Sequence, residues 1–482
     1  MSNQLILAVD QGTGSTKGLL FNEQLEPVAS ASVALGQTSP EPGWVEQDPN
    51  EILAGVLSVM NDLAGFDGDI LGLALTNQRE SAIAWSTETG ETLSSVLGWQ
   101  DRRTASDVAG FSREVKARVR DISGLPLDPM FSALKLRWIL DQIDSDRSLS
   151  SAGKIAVGTV DSWLLFKLTG EHRIEVGNAS RTQLLDVQTG AWSAELLEFF
   201  NIPAAALPRV TASNEPSGEI LAGPLAGKRV LAVLADSHAA LFAHGGEAKA
   251  TFGTGSSVMA TGRLASAESG LVSTIAWGLA VDPNSAFSMT PAVEGNILSS
   301  GSTLVWLAGI LDTTPEELAR AAKAGRSGIN LVPAFGGLGA PWWQADAQAA
   351  LTGMTLDTTR EDIAYAAFES LVLQVEDVLA AVDSIGEPLS EIFVDGGPTA
   401  NEWLMQLLAD LSQRKIIRAN IAELSALGVA AFAGLHSGLW QAPAATPSQI
   451  FEPKLTRELA IARRQDWHQA INQTTLKGAH NG

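Results

Sequence analysis

The chain has 482 residues, 45% of them hydrophobic and 18% charged, with no cysteine and a formal net charge of -22. The lack of cysteine excludes disulfides, thiolate metal sites and a cysteine nucleophile. So acidic a chain repels nucleic-acid phosphates, so no nucleic-acid partner is expected, and an anionic ligand would need a local site of backbone N–H groups, a few cations or a metal. No window holds the ~20 apolar residues of a membrane span, and no basic stretch leads into an apolar one near the N-terminus. The expectation is a cytoplasmic protein without a membrane span.

The length suggests two or three domains. Leu5 to Val9 is an almost wholly apolar run, as in a strand buried on both faces. Gly12-Thr13-Gly14-Ser15 turns it, and Lys17 to Phe21 returns. Ile70 to Leu75 reads as another buried strand, entering Thr76-Asn77-Gln78-Arg79-Glu80. Ser132 to Gln142 reads as a helix with Leu134, Trp138 and Ile139 on one side. Arg229 to Leu234 is a strand ending at Ala235-Asp236. A second Gly-Thr-Gly-Ser follows at Gly253 to Ser256. Thr358-Thr359-Arg360-Glu361 reads as a capping box opening a long helix, with Leu371, Val375, Val378, Leu379 and Val382 on its apolar face. Glu391 to Val394 is a strand entering Asp395-Gly396-Gly397, and Asn401 caps a helix from Glu402 to Leu411. Alternating strands and helices mean α/β. The expected domains are 1–244 and 245–482, each carrying one glycine-rich hairpin, and such a pair could grip one phosphate chain from two sides.

A glycine-rich turn lets backbone N–H groups converge on a phosphate because no Cβ blocks the approach. Asp10, just before the first turn, is placed to hold a magnesium ion, and Lys17 could add a cation. Neither a P-loop nor a completed Gly-x-Gly-x-x-Gly fingerprint occurs. Taken singly, each feature has an ordinary explanation. The turns could be plain hairpins, Asp236 a helix cap, Arg79-Glu80 a surface pair, Trp99 core, and His238 and Trp342-Trp343 packing.

Taken together, the motifs point further. Asp10 to Thr13, Pro42 to Pro49 (PGWVEQDP), Thr76 to Glu80 (TNQRE), Trp99 to Arg103 (WQDRR), Met130 to Gln142 (MFSALKLRWILDQ), Phe335 to Trp343, Ala349 to Glu369 and Asp395 to Gly397 occur in order along the chain. On these motifs the chain resembles the FGGY carbohydrate kinases, and within them it looks most like the glycerol kinases. The resemblance implies a duplicated actin/hexokinase-like (ribonuclease H-like) two-domain α/β fold, with ATP in the interdomain cleft. It implies phosphate contacts from Thr13, Gly14, Ser15 and Lys17, and from Thr254 and Gly255. Gly301, Gly397 and Asn401 would line the nucleotide, and Val305 stands where the family has a glutamine. Asp10 would serve Mg2+. Arg79, Glu80, Trp99 and Asp236 would take the acceptor, with Asp236 as the catalytic base.

Three acceptor positions depart from the glycerol kinases: Met130 replaces a tyrosine, Ser237 a glutamine and Ser257 a phenylalanine. A roomier pocket follows. The resemblance itself implies an ATP-dependent kinase for a terminal hydroxyl, glycerol to glycerol 3-phosphate. A tetritol, pentitol or ketopentose kinase is the alternative, and a non-catalytic sugar sensor comes behind both. The partner is a small polyol or sugar, and a homodimer or homotetramer is left open. The loop that confers fructose bisphosphate inhibition in the family is not evident around Pro224 to Arg229.

Overall fold

The computed structural model describes residues 4–215, 218–266, 268–281, 286–419, 423–440 and 447–478. The chain divides into two compact units. The first comprises Met1–Gly245, Ser273–Ala292 and Glu423–Ala444; the second comprises Gly246–Val272, Val293–Ala422 and Ala445–Gly482.

The sheet of the first unit has the order Arg229–Ala235, Asp69–Asn77, Gln4–Gln11, Ser15–Phe21, Pro27–Ala34. Its first three strands are parallel neighbours. The last three form an antiparallel meander. Leu5 to Val9 are fully buried, because helices cover both faces of their strand. Leu5, Leu7 and Val9 pack with Ile52, Val56 and Met60 of helix Pro49–Ala64. Ile6 and Ala8 point to the other face by strand alternation. Helix Leu424–His436 also packs on this strand, and on Asp69–Asn77 and Arg229–Ala235.

The second unit repeats this plan. Ala248–Phe252 is antiparallel to Ser256–Thr261 and parallel to Glu391–Asp395, which is parallel to Lys415–Ala419. Over these four strands of a seven-stranded sheet, order and strand sense match those of Arg229–Ala235, Asp69–Asn77, Gln4–Gln11 and Ser15–Phe21, so each Gly-Thr-Gly-Ser joins the same two strands of a repeated topology.

Helix Arg360–Asp383 is capped one residue later than the pattern predicts. The hydroxyl of Thr358 accepts the N–H of Thr355 at 2.9 Å and is already engaged in a turn. Thr359 therefore forms the reciprocal box with Asp362. Leu371, Val375, Val378, Leu379 and Val382 are all fully buried, as expected. The helix also buries acids. Glu369 pairs with Arg463, and Glu376 with Arg414 and Arg464. Asp377 accepts from Trp342 at 3.0 Å, Trp467 at 2.8 Å and His468 at 2.8 Å. Arg463, Arg464, Trp467 and His468 fasten helix Arg457–Gly478 to the core, since a buried carboxylate stripped of its partner is strongly destabilising. No helix among the described residues is long and apolar enough to cross a membrane.

The hydrogen bond to Asp377 holds the His468 imidazolium above the usual histidine range. A raised folded-state pKa means that this stabilisation is complete below the unfolded value, ~6.5, and fades as pH rises through the folded one. Replacing His468 by alanine is expected to lower Tm by about 1–3 °C at acidic pH, the imidazole being half-exposed, and by less at mildly alkaline pH. Equal losses in scanning calorimetry at both pH values would contradict the pairing.

Candidate active site

Asp10 and Lys17 stand opposite each other in the first hairpin. One carboxylate oxygen of Asp10, Oδ1, is buried without a hydrogen-bond partner. Burial, and then the nearby Asp236 carboxylate, push the Asp10 carboxyl up to about 7; Lys17 opposes the shift and Glu423 adds to it. The Lys17 ammonium lies 2.8 Å from each carboxylate oxygen of Glu423. Glu423 was not expected at this turn, and nothing local in the sequence signals it.

The turn is closed by Gly12 N–H on the Ser15 carbonyl at 3.0 Å. Three glutamines support it from behind. The Gln78 amide donates to Gln47 Oε1 at 2.8 Å and to Gln11 Oε1 at 3.2 Å. Gln47 donates to the Thr13 carbonyl at 2.8 Å, and Thr13 Oγ1 donates to Gln78 Oε1 at 3.4 Å. Each glutamine comes from a different sequence motif, so the motifs meet as one amide network.

Strand Asp69–Asn77 delivers Arg79 and Glu80. Glu80 has φ 56°, in the left-handed region that a β-carbon disfavours. It is buried, and Oε1 accepts from Arg181 Nε at 2.7 Å. Arg79 Nε lies 3.7 Å from Glu80 Oε1 and 3.5 Å from Asp236 Oδ1. These two residues are therefore not an ordinary surface pair. Trp99 is 41% exposed, so it is not plain core, and its indole N–H donates to Thr13 Oγ1 at 3.2 Å. Its loop is braced by Arg103, which pairs with Asp101 and Glu46 and lies 3.7 Å over the Trp44 ring.

Asp236 opens helix Asp236–Ala243, with Oδ1 accepting the Ser237 N–H at 2.6 Å and the side chain 39% exposed. Gly428 of helix Leu424–His436 lets that helix approach closely, because a Cβ there would sit 1.8 Å from the Ala239 carbonyl. Met130 is half-buried. His238 is buried, 3.4 Å from the Thr274 hydroxyl, in keeping with a structural role.

In the second unit, Thr254 is exposed at its turn, which Gly253 N–H closes on the Gly255 carbonyl at 2.8 Å. Gly301 N–H donates to the Gly253 carbonyl at 2.9 Å, and Ser300 and Ser302 N–H both reach the Thr254 carbonyl. A Cβ on Gly301 would meet the Gly253 carbonyl at 2.5 Å, so glycine is required for the start of helix Gly301–Ile310 to close on the turn. Ser257 lies opposite Thr251 in the hairpin. Gly397 is exposed, and Val305 is 64% exposed. Asn401 accepts from Trp403 and Leu404 N–H as the cap of helix Glu402–Ser412.

The first unit thus gathers Asp10, Thr13, Lys17, Arg79, Glu80, Trp99 and Asp236. It pairs an open carboxylate, able to take a proton, with a second carboxylate bearing an orphan oxygen suited to a cation. No group of three or more acids and histidines among the described residues could hold a metal alone. A cation here would take further ligands from a bound anion or water. Lys135, Arg181 and the glutamines were missed as site residues because their partners lie far away in sequence. Lys135, a lysine inside a buried helical stripe, was the one visible signal.

Exchanging Gln78 for leucine removes the donor to two buried amide oxygens. A loss of about 1–3 kcal/mol is expected, visible as a Tm lowered by about 3–8 °C. An unchanged Tm would show that the amide network carries no weight.

Residues 5–242 match the N-terminal domain model of the FGGY family of carbohydrate kinases, and residues 248–437 match its C-terminal domain model. A glycerol kinase of Burkholderia ambifaria is 41% identical, the match covering 98% of both chains. A glycerol kinase of Xanthomonas axonopodis pv. citri is 37% identical, covering 98% of this chain and 99% of its own. Among solved structures, Plasmodium falciparum glycerol kinase with ADP superposes with a TM-score of 0.92 at 28% identity over 98% of both chains. A ligand-bound xylulose kinase from Lactobacillus acidophilus, at 20% identity and TM-score 0.88 over 99% of both, shares the fold. The chain belongs to the FGGY family of carbohydrate kinases.

Proposed function

We propose that the chain is an ATP-dependent polyol kinase that phosphorylates a terminal hydroxyl, with glycerol as its first acceptor. The observation that carries this reading is the grouping of Asp236, Arg79 and Glu80 beside the Asp10 turn. In this reading Glu80 and Arg79 hold acceptor hydroxyls, Trp99 packs on the carbon chain, and Asp236 receives the proton of the attacking hydroxyl. The N–H groups of Gly14 and Ser15, the Thr13 hydroxyl and Lys17 steady the phosphates from one turn, and Thr254 and Gly255 from the other, with Gly301, Gly397 and Asn401 along the nucleotide. Positioning and charge stabilisation are most of what phosphoryl transfer asks of a protein. The orphan Oδ1 of Asp10 fits a magnesium ion, which would neutralise phosphate charge when bound. A phosphate entering beside Lys17 would compete with Glu423 for the ammonium. A cytoplasmic location belongs to the same reading.

Relatives named glycerol kinase at about 40% identity support glycerol. Met130, Ser237 and Ser257 support a second reading, a tetritol, pentitol or ketopentose acceptor. A non-catalytic sensor would have no use for an accessible carboxylate beside an arginine.

Asp236→Asn keeps the shape and removes the base. A fall in kcat of about 10^3-fold is expected, with the KM for ATP changing by less than about threefold. Near-normal turnover in a coupled ADP-release assay would remove Asp236 from the chemistry. Met130→Tyr together with Ser257→Phe should raise the preference for glycerol over erythritol by about tenfold in kcat/KM. No change in that ratio would show that these positions do not set acceptor size.

A further inference from the structure

Helix Ser132–Ile143 carries a lysine in its buried stripe. Lys135 is fully buried, as are its neighbours Leu134 and Leu136. Its ammonium donates to three backbone carbonyls: Glu80 at 2.6 Å, Met130 at 2.7 Å and Gly98 at 2.9 Å. An ammonium has three hydrogens, and all three are used. Each carbonyl belongs to a different segment that carries an acceptor residue: Glu80 itself, Met130 itself, and Gly98 next to Trp99. None of the three lies within a helix or strand. Glu80 has a φ of 56°, in the left-handed region, and Lys135 donates to the carbonyl of that residue.

A buried ammonium is a costly way to fill space, and an apolar side chain of similar volume generally packs a core as well. Burial pushes the Lys135 amine down to about 7, against the opposing pull of Glu80, Asp101 and Asp128. The three converging carbonyls are what such a charge gains here. We propose that Lys135 is a positioning residue of the acceptor subsite, setting the spacing of Glu80, Trp99 and Met130 and thereby the discrimination among acceptors. The proposal rests on the acceptor role assigned to those residues above.

The test uses Lys135→Met, which keeps length without donors, and Lys135→Gln, which keeps two donors without charge. Initial rates are measured with glycerol and erythritol and with ATP, alongside near-UV circular dichroism. For the methionine variant the expected result is an acceptor kcat/KM lowered about 10^2-fold, a shrunken glycerol-to-erythritol ratio and an ATP KM within about threefold of the original. The glutamine variant should fall between. An unchanged acceptor KM and ratio would overturn the proposal. Equal losses toward acceptor and ATP would overturn it as well. So would loss of native circular dichroism in both variants, which would assign Lys135 to the fold. The unmodified chain separates the two readings: if it phosphorylates no polyol or ketose, the kinase reading fails and takes this proposal with it. If it turns over while the variants discriminate normally, the positioning proposal alone fails.

Discussion

The carboxylate of Glu80 is removed from water, on a residue whose backbone lies in the left-handed region. Neither condition is favourable unaided. A side-chain-bearing residue in that region costs about 1–2 kcal/mol, and a buried carboxylate without partners costs several kcal/mol more. The surroundings answer both costs with cations: Arg181 on the carboxylate, Arg79 alongside it and Lys135 on the carbonyl. In a chain of net charge -22, three cations at one residue are a strong local departure from the average. Much of the first unit converges on this arrangement. Strand Asp69–Asn77 delivers Glu80, helix Ser132–Ile143 brings Lys135, and the segment after Val176–Ala179 brings Arg181.

The repeated hairpin shows one backbone solution fitted out in two ways. Each turn leaves the same pair of strands in the same sheet order. The first is supported by buried amides and linked through Thr13 to Trp99. The second is supported by the start of helix Gly301–Ile310. The first hairpin is thus coupled to Trp99 within its own unit, whereas the second is shaped by a helix terminus.

What was legible in the sequence was local. Gly-Thr-Gly-Ser turns, apolar strands ending in acids, and the Asn401 cap depend on neighbours a few residues away, and they stand where the pattern puts them. The cap of the long helix shifted by one residue because a neighbouring turn had already engaged the Thr358 hydroxyl. What was not legible was long-range. Arg181 meets Glu80 across 101 residues, Lys135 meets it across 55, and Glu423 meets Lys17 across 406. Such contacts carry no periodicity. The family motifs flagged the segments that hold Gln11, Gln47, Gln78 and Lys135, but not that their side chains bond to one another or to the acceptor loops.

The most direct test of the kinase account is acceptor-dependent ADP release by the purified chain with ATP and magnesium, over glycerol, erythritol, threitol, xylitol, ribitol, xylulose and ribulose. The account predicts turnover that requires a polyol or ketose, with glycerol kcat/KM highest or within about tenfold of a longer acceptor. ADP release that is the same with and without every acceptor on the panel would contradict it.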